Sequence, residues 1–201
     1  MRNCELGGKS KMPTATEILR HEHDVVVKML GFAENLADEL DRGQHVSPDV
    51  LDKVLEFFRV FVDQCHHSKE EDLLFPLLEA KGLPHAGGPL GVMLSEHEEG
   101  RKWIMQMTQA AEDYRLIVEG SGCRWANAAR AYADLLHAHL DKENNVLFVM
   151  AERMLTPDDQ AGLVEGFEKL EVEKIGAGRH EQIHAMMAEL LAGTPTVPRL
   201  S

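Results

Sequence analysis

Apolar residues return at three- and four-residue intervals along nearly the whole chain, a pattern that predicts helix almost throughout. Over 14–41, Ile18, Val25, Leu30, Phe32, Leu36 and Leu40 recur at helical spacing behind Thr14 or Thr16 as cap. "RGQHVSP" breaks this helix, and a second starts with Ser47 as cap and Pro48 in the first turn, where a missing N–H costs nothing. It continues to Gly82, with Pro76 expected to kink or interrupt its last turns. After the loop "GLPHAGGP", helices are expected over about 89–119 and 123–155, separated by "EGSGC". Thr156, followed by Pro157 and acidic residues, starts a further helix, and a last one runs from Arg179 to Leu191. Four long helices and two short ones predict an all-α protein, an antiparallel up-down four-helix bundle with additional C-terminal helices. The expected division is a flexible segment 1–13, the bundle 14–155, a helical extension 156–193 and a tail 194–201.

The chain also repeats itself. "HHSKEEDLLF" at 66–75 and "HLDKENNVLF" at 139–148 share His, three residues, Glu, then an apolar run ending in Phe. Each is preceded by a Glu-His: His23 lies 43 positions before His66, and His97 lies 42 before His139. Each half therefore reads as a helical hairpin with one Glu-His on its first helix and one His-x3-Glu on its second. Residues four apart share a helix face, about 6 Å apart along the axis. Two packed hairpins would thus bring together His23, His66, Glu70, His97, His139 and Glu143. Such a set is hard to bury without a cation, because a desolvated, unpaired carboxylate takes up a proton or costs several kcal/mol. Two divalent metals resolve the difficulty. Imidazole with carboxylate and no thiolate suits iron, and manganese or zinc less well.

Composition narrows the function classes. With 201 residues, 44 % of them hydrophobic, the chain can bury a sizeable core. A formal net charge of −13 argues against nucleic acid and anionic membranes as partners. No run approaches the roughly 18 apolar residues that cross a bilayer, and the N-terminal stretch has no signal-peptide core, so a cytoplasmic location is expected. Cys4, Cys65 and Cys123 are few and far apart, as for reduced thiols.

The segments "RHEHD", "HHSKEEDLLFP", "EHEEGR" and "HLDKENNVLF", taken together, resemble the hemerythrin-like, HHE cation-binding family over roughly residues 14–155. The resemblance implies a hemerythrin-like bundle around a non-haem di-iron centre, two oxo- or hydroxo-bridged irons, with His23, His66, Glu70, His97, His139 and Glu143 at ligand positions. Oxygen carriers of that family place a second histidine a turn beyond the first on the third helix and end with His-x4-Asp. Here those features are Arg101 and His139-x3-Glu143. The set is closer to family members linked to nitrosative and oxidative stress, including iron–sulfur cluster repair proteins. The implied role is handling of O2, H2O2 or NO in sensing, storage or stress response. A peroxidase-like or nitric oxide reducing enzyme and an iron-responsive interaction protein are the alternatives; no catalytic residue is assigned.

The remaining candidates are weighed against ordinary roles. His67 is expected as an exposed histidine, with an extra-ligand role as the alternative; His21 and His137 are expected on the surface. Glu22 and Glu96 are expected on solvated helix faces, with orientation of neighbouring ligands as hydrogen-bond acceptors the alternative, and Cys65 as a small core residue, with a redox-sensitive thiol the alternative. Phe57, Phe58, Phe61, Phe75 and Phe148 are expected inside the bundle. "HEQIH" at 180–184 matches the zinc-protease signature, yet no third ligand is evident; adventitious or structural metal binding is the alternative there, and the chemistry is expected in the bundle instead.

Overall fold

The computed structural model describes residues 12–193; the expected tail 194–201 and all but the last residues of the expected segment 1–13 lie outside them. Six helices are present among the described residues. α1 is Ala15–Asp41, α2 spans 48–80, α3 is Pro89–Arg115, α4 spans 121–154, α5 is Pro157–Lys174 and α6 is Arg179–Gly193. No strand occurs among the described residues. The first four form the bundle, with α1 and α3 lying along α4 and α3 also packing on α2, while α5 and α6 rest on α2.

The helix starts follow their sequence signals except that Ser47, at the N-cap position of α2, makes no side-chain cap hydrogen bond. Thr14 caps α1 reciprocally with Glu17, and Thr156 caps α5 in the same way with Asp159. Pro48 and Pro89 occupy first turns of α2 and α3. The end of α3 departs from expectation, stopping at Arg115 instead of near 119. Ile117 adopts a left-handed conformation with φ 59°, and Val118 N–H donates to the Asp113 carbonyl while Ile117 N–H donates to that of Tyr114. This is a Schellman-type stop, with isoleucine where glycine is the usual occupant.

α2 and α4 are not uniform α-helices. In α2 the segments Phe57–His67 and Glu70–Leu74 are π-helical, and in α4 so is Glu143–Leu147. The wide turns close on matched residues, the Phe75 N–H donating to the Glu70 carbonyl and the Phe148 N–H to the Glu143 carbonyl. Of the two expectations for Pro76, a kink or an interruption, the interruption does not occur, and the helix continues to Ala80 behind a wide turn. The turn before Pro76 recurs in α4, where Val149 stands at the matching place, so proline is not its cause.

Core residues fall into two apolar clusters with a polar layer between them. Along α1, Leu19 belongs to one cluster and Val25 onward to the other, with Glu22 and His23 between. Along α4, Leu140 and Leu147 belong to opposite clusters on either side of Glu143. The larger cluster holds Phe57, Phe58 and Phe61 together with Trp125 and Tyr132, and the smaller one Phe75 and Phe148; the five phenylalanines are buried as expected. Leu163 and Phe167 of α5 join the smaller cluster, and Ile183 and Leu190 of α6 join the larger, so the C-terminal helices share the core of the bundle.

The Ile117 turn yields a test. Its side chain is 91 % exposed, so Ile117→Gly loses little burial and removes a left-handed penalty of roughly 1–2 kcal/mol, offset in part by glycine's extra freedom in the unfolded chain. Ile117→Gly should raise the stability by about 0.5–1 kcal/mol in urea denaturation; a lowered midpoint at unchanged slope would contradict this account of the turn.

Candidate metal centre

The polar layer holds all six residues singled out by the repeat. His23 and Glu22 come from α1, His66 and Glu70 from α2, His97 from α3, and His139 and Glu143 from α4, and all are buried. The Nε2 atoms of His23 and His66 are 3.1 Å apart, as are those of His97 and His139. Between the two pairs lie the carboxylates. Glu143 Oε2 is 3.3 Å from His23 Nε2, and its Oε1 is 3.2 Å from His139 Nε2. Glu70 Oε2 is 3.8 Å from His66 Nε2 and 3.6 Å from His97 Nε2. Two four-residue groups result, each with ligand atoms within 4.8 Å of one another: His23, His66, Glu70 and Glu143 on one side, His97, His139, Glu70 and Glu143 on the other. Both glutamates belong to both groups.

Every inward Nε2 is set by an outward Nδ1. His66 Nδ1 donates to Glu22 at 2.8 Å and His139 Nδ1 to Glu96 at 2.9 Å. His97 Nδ1 donates to Glu71 at 2.7 Å and His23 Nδ1 to Asn144 at 2.9 Å. Glu71 and Asn144 each follow a central glutamate directly in sequence, so the arrangement repeats as the sequence does. The other oxygen of Glu22 accepts from Lys69 and that of Glu96 from Lys142, completing the parallel. Acceptors on Nδ1 fix the tautomer and ring orientation and leave Nε2 free for a cation. Glu22 and Glu96 were expected on solvated surfaces. Instead Glu22 is buried and Glu96 half-buried, because each turns inward to hold an imidazole and a lysine.

The carboxylate oxygens of Glu70 and Glu143 are buried and make no hydrogen bond. Burial, and then the charge of Glu143, push the Glu70 carboxyl well above its ordinary range. Burial also opposes ionisation of Glu143, but the positive charge of His139, and then the approach of His23, hold it well below that range. His139 is correspondingly lifted to about 9 against the effect of burial, chiefly by Glu143. Burial lowers His66 to about 4 despite its bond to Glu22. Protons thus partly compensate this layer, and divalent cations would do so better. The donor set fits such ions, since it is anionic, unpaired at its centre and oriented from outside.

His67 is where the fold departs most from sequence reasoning. It is buried rather than exposed, stacks on His97 with ring centroids 3.8 Å apart, and leaves both ring nitrogens without a hydrogen-bond partner. His67, His97 and His139 form a third group of convergent ligand atoms. The pairs 57/58, 61/62 and 65/66 recur every four residues in the sequence, but they stop short of His67, which carries no such mark. Arg101 bonds Asp63, Glu71 and Glu98, closing the layer beside His97. Phe148 stacks on His23 and Phe75 on His97, one ring for each half. His21 and His137 are exposed, as expected.

An unpaired buried carboxyl costs roughly 1–3 kcal/mol. Glu70→Met should therefore raise the melting temperature of the metal-free protein while abolishing most cation uptake. A variant that melts lower and still takes up metal like the parent would refute this description of the layer.

Residues 14–151 match the hemerythrin HHE cation-binding domain. An uncharacterised protein of Mycobacterium tuberculosis is 22 % identical over 177 residues, which cover 88 % of this chain and 69 % of that protein. The iron-sulfur cluster repair protein DnrN of Neisseria gonorrhoeae is 33 % identical over 86 residues, 41 % of this chain and 54 % of its own length. The iron-sulfur cluster repair protein YtfE of Edwardsiella ictaluri is 28 % identical over 139 residues, 68 % of this chain and 62 % of its own. The chain therefore spans less than two thirds of these repair proteins. No described helix is long and apolar enough to cross a membrane. With the match running through the four bundle helices that carry the polar layer, the chain belongs to the hemerythrin HHE cation-binding family.

Proposed function

We propose that the polar layer holds two non-haem iron ions and that the protein uses them to handle O2, H2O2 or NO in the response to oxidative or nitrosative stress. The observation that carries this reading is the orientation of the layer. Four imidazoles turn Nε2 inward from acceptors on their outer nitrogens, around two buried carboxylates without hydrogen bonds. His23 and His66 would hold one ion, His97 and His139 the other, and Glu70 and Glu143 would serve both. His67 stands ready to add a third imidazole to the second. Absence of sulfur from the set favours iron over softer ions, and the names of the repair proteins among the relatives support a role in stress. When bound, an iron pair supplies positions open to a small ligand and a change of oxidation state. The protein's own groups orient the imidazoles, neutralise the ions' charge and, through Phe75 and Phe148, keep bulk water away. A cytoplasmic location belongs to the same proposal.

Anaerobic loading with ferrous iron should give about two atoms per chain, and on oxidation the near-ultraviolet absorption of an oxo-bridged pair. Glu70→Ala and Glu143→Ala should lose that iron, whereas changes at His45 and His85, both exposed, should keep it. A stoichiometry of one, or uptake of zinc with no iron, would sink the proposal.

Glu22→Ala probes the outer acceptors separately. It removes the partner of His66 Nδ1 and leaves the buried Lys69 with Glu171 alone, so iron affinity should fall by roughly 10–100-fold with the helix content retained. Unchanged affinity in a folded variant would show that orientation of His66 contributes nothing.

A further inference from the structure

The His180–His184 motif takes no part in the polar layer, and the sequence offered it no third ligand. The fold gives His180 two partners of another kind. α6 crosses the π-helical part of α2, where Phe61 stacks beneath His180 at 5.6 Å and meets His184 edge-on at 5.3 Å, and the two histidine rings lie 4.5 Å apart. In this packing a ring nitrogen of His180, the sulfur of Cys65 and a carboxylate oxygen of Glu171 all come within 4.8 Å of one another. His180 Nε2 is buried and has no hydrogen-bond partner. Glu181, the general base of a zinc-protease reading, is exposed instead.

We propose that Cys65, Glu171 and His180 form a second, mononuclear cation site, suited to zinc, that fastens α5 and α6 to α2. Its donors differ in kind from those of the polar layer: one thiolate, one imidazole and one carboxylate are a zinc set, whereas the layer contains no sulfur. Each comes from a different helix, and His184 stands one turn further along α6 beside His180. The local charge also favours a cation. Lys69 donates to Glu22 and to Glu171, so one buried ammonium faces two carboxylates. A zinc ion bound to Cys65, whose thiol proton leaves to solvent, adds one net positive charge and balances the group. The site lies next to His66 in sequence but shares no ligand with the layer.

The test uses the full chain, first loaded with iron and then given one equivalent of zinc or of cobalt as optical probe. The expected result is sulfur among the atoms bonded to zinc in X-ray absorption, and a thiolate-to-cobalt charge-transfer band, both lost in Cys65→Ser. His180→Gln should weaken zinc retention by roughly 10-fold or more without lowering iron content. Zinc should raise the melting temperature of the parent and of neither variant. A zinc environment of nitrogen and oxygen alone overturns the proposal, as does a thiolate band that persists in Cys65→Ser and so arises from Cys4 or Cys123. Should Cys65→Ser fail to fold, His180→Gln decides, because α6 donates that residue from a half-exposed position: a thiolate band and zinc affinity unchanged from the parent overturn the assignment.

Discussion

Two carboxylates without hydrogen-bond partners at the centre of a helical bundle are the constraint around which this protein is organised. Burying such groups is unfavourable by several kcal/mol unless opposite charge is brought to them. Glu70 and Glu143 are completely buried beside each other, and the opposite charge that reaches them comes from imidazole nitrogens. Everything nearby is arranged to make that placement tolerable. Apolar clusters above and below seal the layer, and the histidines turn their Nε2 atoms toward the carboxylates in two pairs, 3.1 Å apart within each.

The outer partners carry as much of the design as the inner residues. Glu22 and Glu96 each hold one imidazole and one lysine, and Glu71 and Asn144 each hold the imidazole of the opposite hairpin. The two halves are unequal at two points, however. His97 leans on the ionised Glu71, which Arg101 in turn supports, whereas His23 leans on a neutral amide. His67 has no counterpart in the second half, where Leu140 follows His139. The His97 side is therefore richer in donors and in negative charge than the His23 side.

The C-terminal helices are tied to the same network. Glu171 of α5 reaches Lys69, which reaches Glu22, which holds His66, so a movement of α5 bears on an imidazole of the layer through three contacts, the inner two of them buried. α6 closes the other flank by seating Ile183 and Leu190 in the larger cluster.

The sequence by itself determined the helices, most of their ends and the six residues that the structure brings together. Those features depend on local signals: apolar periodicity, caps such as Thr14 and Thr156, and a His-x3-Glu spacing that keeps both groups on one face of any helix. What escaped it depends on contacts between residues far apart in the chain. Glu22 and Glu96 carry no local mark of burial, and they turn inward only because a histidine and a lysine of another helix lie opposite. His67 faces the centre because the π-helical segment reaching it turns less per residue than an α-helix, which brings neighbouring residues toward the same side. Cys65 and His180 are 115 positions apart, and only the packing of α6 across α2 makes them neighbours. Spacing along one helix is a local property, but the direction in which a polar side chain turns is decided by what the fold puts opposite it.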